Sequence, residues 1–437
     1  MKKVVFLFLF SAVSLFPFHL LAGSFSKYKK DFLRAVKAKN VEGAAAAIRG
    51  MASENSKDAV KYILKFALLS DQLSSYGFTD GNILELNKAA QEALRGISDS
   101  QALDYMISQA HRHRDYRVRI ILIEVLKEKS GEKFEKGLAE CLKDRRQEVL
   151  LAAIEAVKAK RSKYAVPYLI DLVGKLQRKE GLVWIEARRA LLAITGQDFD
   201  NTKDWKKWWS TVKNNFNPNE HSTVGAGRTM VRKKKRVPKL FGTEVVSKRV
   251  VFILDISGSM MVKDPESGEG GGTVMRQPGK PVNQQNIPES RRRITRAKNE
   301  LIKVIKMLDR DVKFNIIAFS SGIKKWKDKY LYPASPANKA SAIRWVEGLK
   351  ANGTTWTDLA LKEGFKIKEA NTMYLLSDGS PTHDGQTMLP TGPICEMVKN
   401  LNKYRRVRIY TLGFRGANVP FMQRLADENY GKYKDIK

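Results

Sequence analysis

Two aspartates and three hydroxyl side chains recur at the ends of separate apolar runs. They are Asp255, Ser257 and Ser259 in the pattern DxSxS, Thr354 after Gly353, and Asp378 before Gly379. Carboxylate and hydroxyl oxygens with no His or Cys among them are the donor set of a hard cation such as Mg²⁺, and Mn²⁺ suits the same donors. Two carboxylates bring two negative charges and the hydroxyls none, so the ion stays electrophilic and hydrated. It can then accept one more oxygen from outside. No general base or nucleophile triad accompanies these residues, which points to binding and away from an enzyme.

Such residues need a scaffold that brings three loops to one edge. Residues 250–256 form a continuous apolar run of strand length, and 313–319, 372–376 and 407–414 repeat that character. Amphipathic helices are expected over 293–308, near 338–349 and from about residue 358. Buried strands alternating with helices predict an α/β domain with a parallel sheet covered on both faces. On such sheets ligands bind at the carboxyl ends of strands, where the five oxygen-bearing residues fall. Gly258, Gly353 and Gly379 lie in the same loops as ligand-binding candidates, with Gly258 and Gly379 expected to allow close approach of the backbone.

Asp255-x-Ser257-x-Ser259, then Thr354, then Asp378-Gly379, resembles the metal-ion-dependent adhesion site of von Willebrand factor A domains. The likeness runs over residues 249–437, including RIYTLGF (408–414) and VPFMQRLADENYG (419–431). It implies a doubly wound, Rossmann-like domain with a complete Mg²⁺ site. It also implies roles: Asp255 anchors the ion through water, Ser257 and Ser259 ligate directly, Thr354 joins when ligand binds, and Asp378 holds a coordinated water. In that family a Glu or Asp carboxylate of a protein partner fills the open position. One departure stands between Ser259 and the helix at Arg291. Residues 261–290 carry Gly268, Gly270, Gly271 and Gly272 with Pro278, Pro281 and Pro288, a longer connection than usual. It leaves the metal edge either as part of the partner surface or as a flexible loop. His383 and Asp384, near the same edge, read as a solvated turn.

Before this domain the chain reads as helix after helix, from residue 25 to 215. Apolar positions at three- and four-residue spacing mark 58–69, 83–94, 118–126 and 149–157, with Gly77, Gly96, Gly131 and Gly181 between helices. Residues 115–129, 144–160 and 182–196 are mutually similar; Val118, Val149 and Ala187 take comparable places about 31 and 38 residues apart. That period suits helical hairpins burying their faces against neighbours, and the stretches resemble HEAT repeats. An all-α, HEAT-like solenoid followed by the α/β domain is the expected architecture. Trp205, Trp208 and Trp209 on the last helix are expected to cap the stack as core, in a tryptophan-rich end similar to those of bacterial HEAT-repeat proteins. His111 and His113 read as a helix end. Residues 216–247 form a linker whose basic run, Arg232, Lys233, Lys234, Lys235 and Arg236, is a candidate polyanion contact on an anionic polymer or membrane surface.

At the N-terminus Lys2 and Lys3 precede an apolar run over 4–21, and Ala22 and Gly23 supply small residues for cleavage. That is the order of a secretory signal over 1–22, so the mature protein is expected in a periplasm or outside the cell. The length of the run leaves an uncleaved anchor as the alternative. Ser24 stands where a lipoprotein would carry its lipidated Cys, so no lipid anchor is expected. Cys141 and Cys395 are the two cysteines of the chain, read as free buried thiols with an interdomain disulfide as the alternative. The net charge of +33 attracts anionic partners without naming one. Helical repeats, this domain type and strong positive charge also resemble the Ro ribonucleoprotein family, which makes RNA or another polyanion the alternative ligand. The export signal argues against nucleic acid.

Overall fold

The computed structural model describes residues 24–67, 70–178, 180–220, 237–265 and 287–437. Residues 1–22, read above as an export signal, the run from Arg232 to Arg236 and most of the Gly/Pro-rich connection lie outside the described residues. The chain divides into two compact units, Met1–Gly137 and Leu138–Lys437.

The first unit is helical. After helix Ser24–Lys37, the helices Val41–Ser53, Asp80–Arg95, Ser100–Arg112 and Tyr116–Leu126 are set off by polar caps rather than by breaks in hydrophobicity. Asn40 accepts from Gly43 N, Thr79 and Asn82 form a reciprocal capping box, and Asp99 accepts from Ala102 N. Each cap satisfies an otherwise orphaned amide of the first turn, a contribution of about 1 kcal/mol. The helix expected over 58–69 is shorter and mixed: Lys57–Tyr62 runs into a wider π-turn at Ile63–Ala67. His113 is the residue at which Ser100–Arg112 ends, and burial lowers its pKa.

The second unit opens with helices Gln147–Ala159, Val166–Leu176, Leu182–Thr195 and Thr202–Val212. Gly196, at φ +70°, closes the third by a left-handed turn that an L side chain would strain. Trp205 is fully buried and its indole N–H donates to Phe199 O at 3.1 Å. Trp208 packs against Phe199 and Phe216, and Trp209 against Phe216. Of the three, only Trp205 is core; Trp208 and Trp209 are half-buried.

The α/β part follows, with β1 (Arg249–Asp255), α1 (Arg293–Met307), β2 (Lys313–Phe319), β3 (Ile323–Lys325) and β4 (Tyr332–Pro333). Then come α2 (Pro336–Glu347), α3 (Thr357–Lys366), β5 (Thr372–Ser377), α4 (Thr391–Asn402), β6 (Arg408–Gly413), α5 (Val419–Asp427) and β7 (Tyr433–Asp435). The sheet runs β3-β2-β1-β5-β6-β7, with β4 also on β2. Its centre is parallel, while β3 and β4 pair antiparallel with β2. The short edge strands carry too few residues for a periodic signal, which is why only the long buried runs were legible.

Alternate residues of the central strands enter two different cores. Phe252, Leu254, Phe314, Ile316 and Tyr374 pack with Leu301 and Ile305 of α1. Val251, Ile253, Ile317, Met373 and Leu375 pack with Leu361 of α3 and Leu425 of α5. Each large apolar side chain so buried contributes about 1.5–3 kcal/mol, and burial on both faces accounts for the unbroken apolar runs. The chain leaves β1 toward β2 on one side and returns to β5 on the other, so β1 and β5 flank a topological switch point.

The helices of the second unit meet the opposite end of this sheet. Arg406 pairs with Glu155 at 2.6 Å, Arg408 with Glu186 at 2.7 Å, and Asn371 donates to Gln147 at 3.3 Å. Asn371 and Arg408 stand at the starts of β5 and β6, so these contacts lie away from the carboxyl edge. Cys141 and Cys395 are buried free thiols.

Candidate metal centre

The site begins where β1 ends. Asp255 is fully buried; its Oδ1 accepts from Ser257 N at 2.8 Å and its Oδ2 from Ser377 Oγ at 2.5 Å. Among the described residues no Lys, Arg or His pairs with it. Burial, and next the charge of Asp378, push its pKa up from 3.8 to about 7. A buried carboxylate with no cation beside it is costly.

From there a relay of hydroxyls leads to the second carboxylate. Ser259 Oγ donates to Asp378 Oδ1 at 2.7 Å, so its proton is spent, and the Ser257 hydroxyl 3.0 Å away is left to donate to Ser259. Asp378 Oδ2 accepts from Arg293 Nη1 at 2.6 Å. Backbone ties hold the loops together: Gly258 N donates to Gly353 O at 2.9 Å and Asn352 N to Ile256 O at 2.8 Å. Asp255, Ser257, Ser259 and Asp378 are thus one hydrogen-bonded cluster at the switch point.

Thr354 does not join it. Its amide and hydroxyl both donate to Ser321 Oγ, at 2.9 and 3.1 Å. The next residue, Thr355, lies beside Gly379. Thr355 is buried, its backbone exchanges hydrogen bonds with Thr382, and a Cβ added to Gly379 would stand 3.7 Å from Thr355 Oγ1 and 3.8 Å from Ser259 Oγ. Gly379 therefore keeps open a gap shared by two hydroxyls. Thr354 is expected from the motif to join only when ligand binds, so its bond to Ser321 leaves both adjacent threonines as candidates for that role. Gly353 makes the turn before them at φ +77°, where a Cβ would collide with Ser321 Oγ. A Cβ at Gly258 would meet only an ordinary contact with Gly353 O, at 3.5 Å.

Further residues were not singled out by type or spacing. Ser377 closes a strand as any small residue can, and Arg293 and Asp264 lie at the ends of the long connection. His383 and Asp384 form a more ordered turn than expected. His383 Nε2 lies 2.9 Å from Asp358 Oδ1. Asp384 accepts from Gln386 N and Thr387 N, and these bonds lower its pKa to about 2.

The donor chemistry fits a hard divalent cation. It supplies a buried carboxylate lacking a counter-ion, a second carboxylate, hydroxyls and a gap that a methyl group would fill. Among the described residues no three His, Cys, Asp or Glu side chains converge. A cation held here would therefore depend on hydroxyl and water oxygens.

Residues 250–434 match the family described as von Willebrand factor type A domain. This part of the chain is a von Willebrand factor type A domain. Its similarity to human von Willebrand factor A domain-containing protein 3A is 28% identity over 203 residues, 45% of this chain and 14% of that protein. Inter-alpha-trypsin inhibitor heavy chain H3 of Mesocricetus auratus is 27% identical over 204 residues, 45% of this chain and 20% of the relative. The chain thus spans a fifth or less of the length of these relatives. Among solved structures, a von Willebrand factor type A protein from Catenulispora acidiphila has 20% identity and a TM-score of 0.33, covering 44% of this chain and 40% of that one. The manganese-loaded TRAP protein of Plasmodium vivax has 20% identity and a TM-score of 0.29, covering 43% and 67%.

Proposed function

We propose that this is an exported binding protein whose von Willebrand factor type A domain captures an acidic group of a protein partner through a bound Mg²⁺. A ligand-binding role follows the domain type; the metal and the acidic group are the proposal. The observation that carries it is Asp255, a fully buried carboxylate with no basic partner among the described residues, beside hydroxyls that converge on an open gap. Asp255, Ser257, Ser259 and Asp378 would hold the ion with a hydroxyl of the threonine pair Thr354-Thr355, and Mn²⁺ would serve as well as Mg²⁺. The ion supplies the Lewis acidity that a carboxylate of the partner completes. These residues would hold the ion through carboxylate and hydroxyl oxygens. The helices that precede the domain are the second docking surface in this reading, stacked as HEAT-like repeats. Support for export is the order of Lys2 and Lys3, an apolar run and Ala22-Gly23.

Calorimetric titration of chelator-treated protein with MgCl₂ and MnCl₂ tests the metal. One saturable site is expected in the parent and none in Asp255→Ala. A crosslinking pulldown from the envelope fraction, with Mg²⁺ or with EDTA, tests the partner. Equal recovery in both would remove the metal-bridged account.

The charge of +33 favours a second reading, a polyanion-binding protein using basic surfaces such as Arg232 to Arg236. RNA binding that falls steeply with salt, and is indifferent to EDTA, would select it.

A further inference from the structure

Asp264 is buried although it lies at the root of the long connection after Ser259, where solvent-facing acids are the rule. Its Oδ1 accepts from Arg293 Nε at 3.0 Å and pairs with Nη2 at 2.9 Å, and its Oδ2 lies 3.3 Å from Arg296 Nη1. The remaining arm of the Arg293 guanidinium donates to Asp378 Oδ2 at 2.6 Å. Backbone bonds fix this geometry: Asp264 N donates to Arg291 O and Arg293 N to Val262 O. Arg293 stands between two aspartates, one in the metal cluster and one outside it.

A guanidinium touching Asp378 opposes a cation at that carboxylate. Were Arg293 alone, its charge would cancel half of what Asp255 and Asp378 offer. Buried charges within several ångströms interact strongly and are little screened by salt. Asp264 supplies a negative charge, shared between the nearer Arg293 and the more distant Arg296, without occupying a ligand position. Resting on the metal reading above, we propose that Asp264 is an outer electrostatic partner of the metal centre, offsetting Arg293 so that Asp378 can both be held in place and attract a divalent cation. The connection after Ser259 then has a defined effect at its root: it supplies a charge that sets metal affinity.

The test is Mg²⁺ and Mn²⁺ titration calorimetry on the parent, Asp264→Asn, Arg293→Gln and the double variant, with melting in EDTA to confirm folding. Asp264→Asn keeps an acceptor for Arg293 and removes only charge; about tenfold weaker metal binding is expected. Arg293→Gln leaves Asp264 with Arg296 and removes the opposing charge; several-fold tighter binding is expected. The double variant returns near the parent. A purely structural role predicts that neutral Asn is tolerated and that losing Arg293, which orients Asp378, weakens binding. Single variants shifting the same way, or Asp264→Asn unchanged, overturn the inference. If Asp264→Asn does not fold, the direction for Arg293→Gln decides alone. A parent that binds neither ion removes the metal reading and this inference with it, whereas a parent that binds with unshifted variants removes only the inference.

Discussion

Ser377 donates its hydroxyl proton to Asp255 Oδ2 at 2.5 Å, joining the ends of the two strands that flank the switch point. The bond fixes the rotation of a buried carboxylate whose other oxygen is held by Ser257 N. Outer partners of metal-binding groups act by such orientation, and their loss costs about 10–100-fold in affinity. Ser377→Ala is therefore expected to weaken Mg²⁺ binding by about tenfold, read by calorimetry, with little change in melting temperature when metal is absent. Unchanged affinity would show that the strand ends alone position Asp255.

Thr355 and Thr354 offer a direct contrast. The hydroxyl of Thr355 shares the gap over Gly379 with Ser259, whereas Thr354 is engaged by Ser321. Thr355→Ala should reduce divalent-ion affinity or partner capture by at least about fivefold, the loss of one oxygen donor near a divalent ion. Thr354→Ala should leave metal affinity within about twofold. The reverse pattern would return the site to the threonine first read from the motif.

What the sequence made legible was set by burial. Residues 250–256 and 313–319 show themselves because both faces of those strands are covered, and the DxSxS pattern is local enough to survive as a motif. Asp378 was legible because it follows a buried run directly. Arg293 and Asp264 were not, since a salt bridge between residues 29 apart leaves no periodic trace. The edge strands Ile323–Lys325 and Tyr433–Asp435 failed for a related reason: at 3 residues each, they have no alternation to read.

Asp255 makes the metal-free protein sensitive to pH in a direction that can be assigned. Burial first, then Asp378, raise its pKa from 3.8 to about 7. An acid raised by folding keeps its proton more readily in the folded state. Its contribution is greatest below the unfolded value and is lost as pH rises through the folded one. In EDTA the stability of the parent, relative to Asp255→Asn, should fall as pH rises from about 4 to about 7. Cation binding needs the deprotonated carboxylate, so the rise in Tm on adding Mg²⁺ should grow across the same window. A parent-minus-variant difference that stays flat with pH would show that Asp255 titrates normally.

Gly353 provides a prediction independent of metal. Its φ of +77° lies where L side chains are strained, and a Cβ would also run into Ser321 Oγ. The same residue accepts from Gly258 N and precedes the threonine pair, so it sets the path of the loop that carries Thr355. Gly353→Ala should cost more than about 1 kcal/mol of stability in EDTA, from positive φ together with the collision. If the loop relieves that strain by swinging away, Thr355 moves with it. Metal affinity should then fall in Gly353→Ala as it does in Thr355→Ala, and combining the two substitutions should add little further loss. Denaturant unfolding gives the first quantity and calorimetry the second. Full additivity of the affinity losses would show that Gly353 shapes the site by a route other than Thr355.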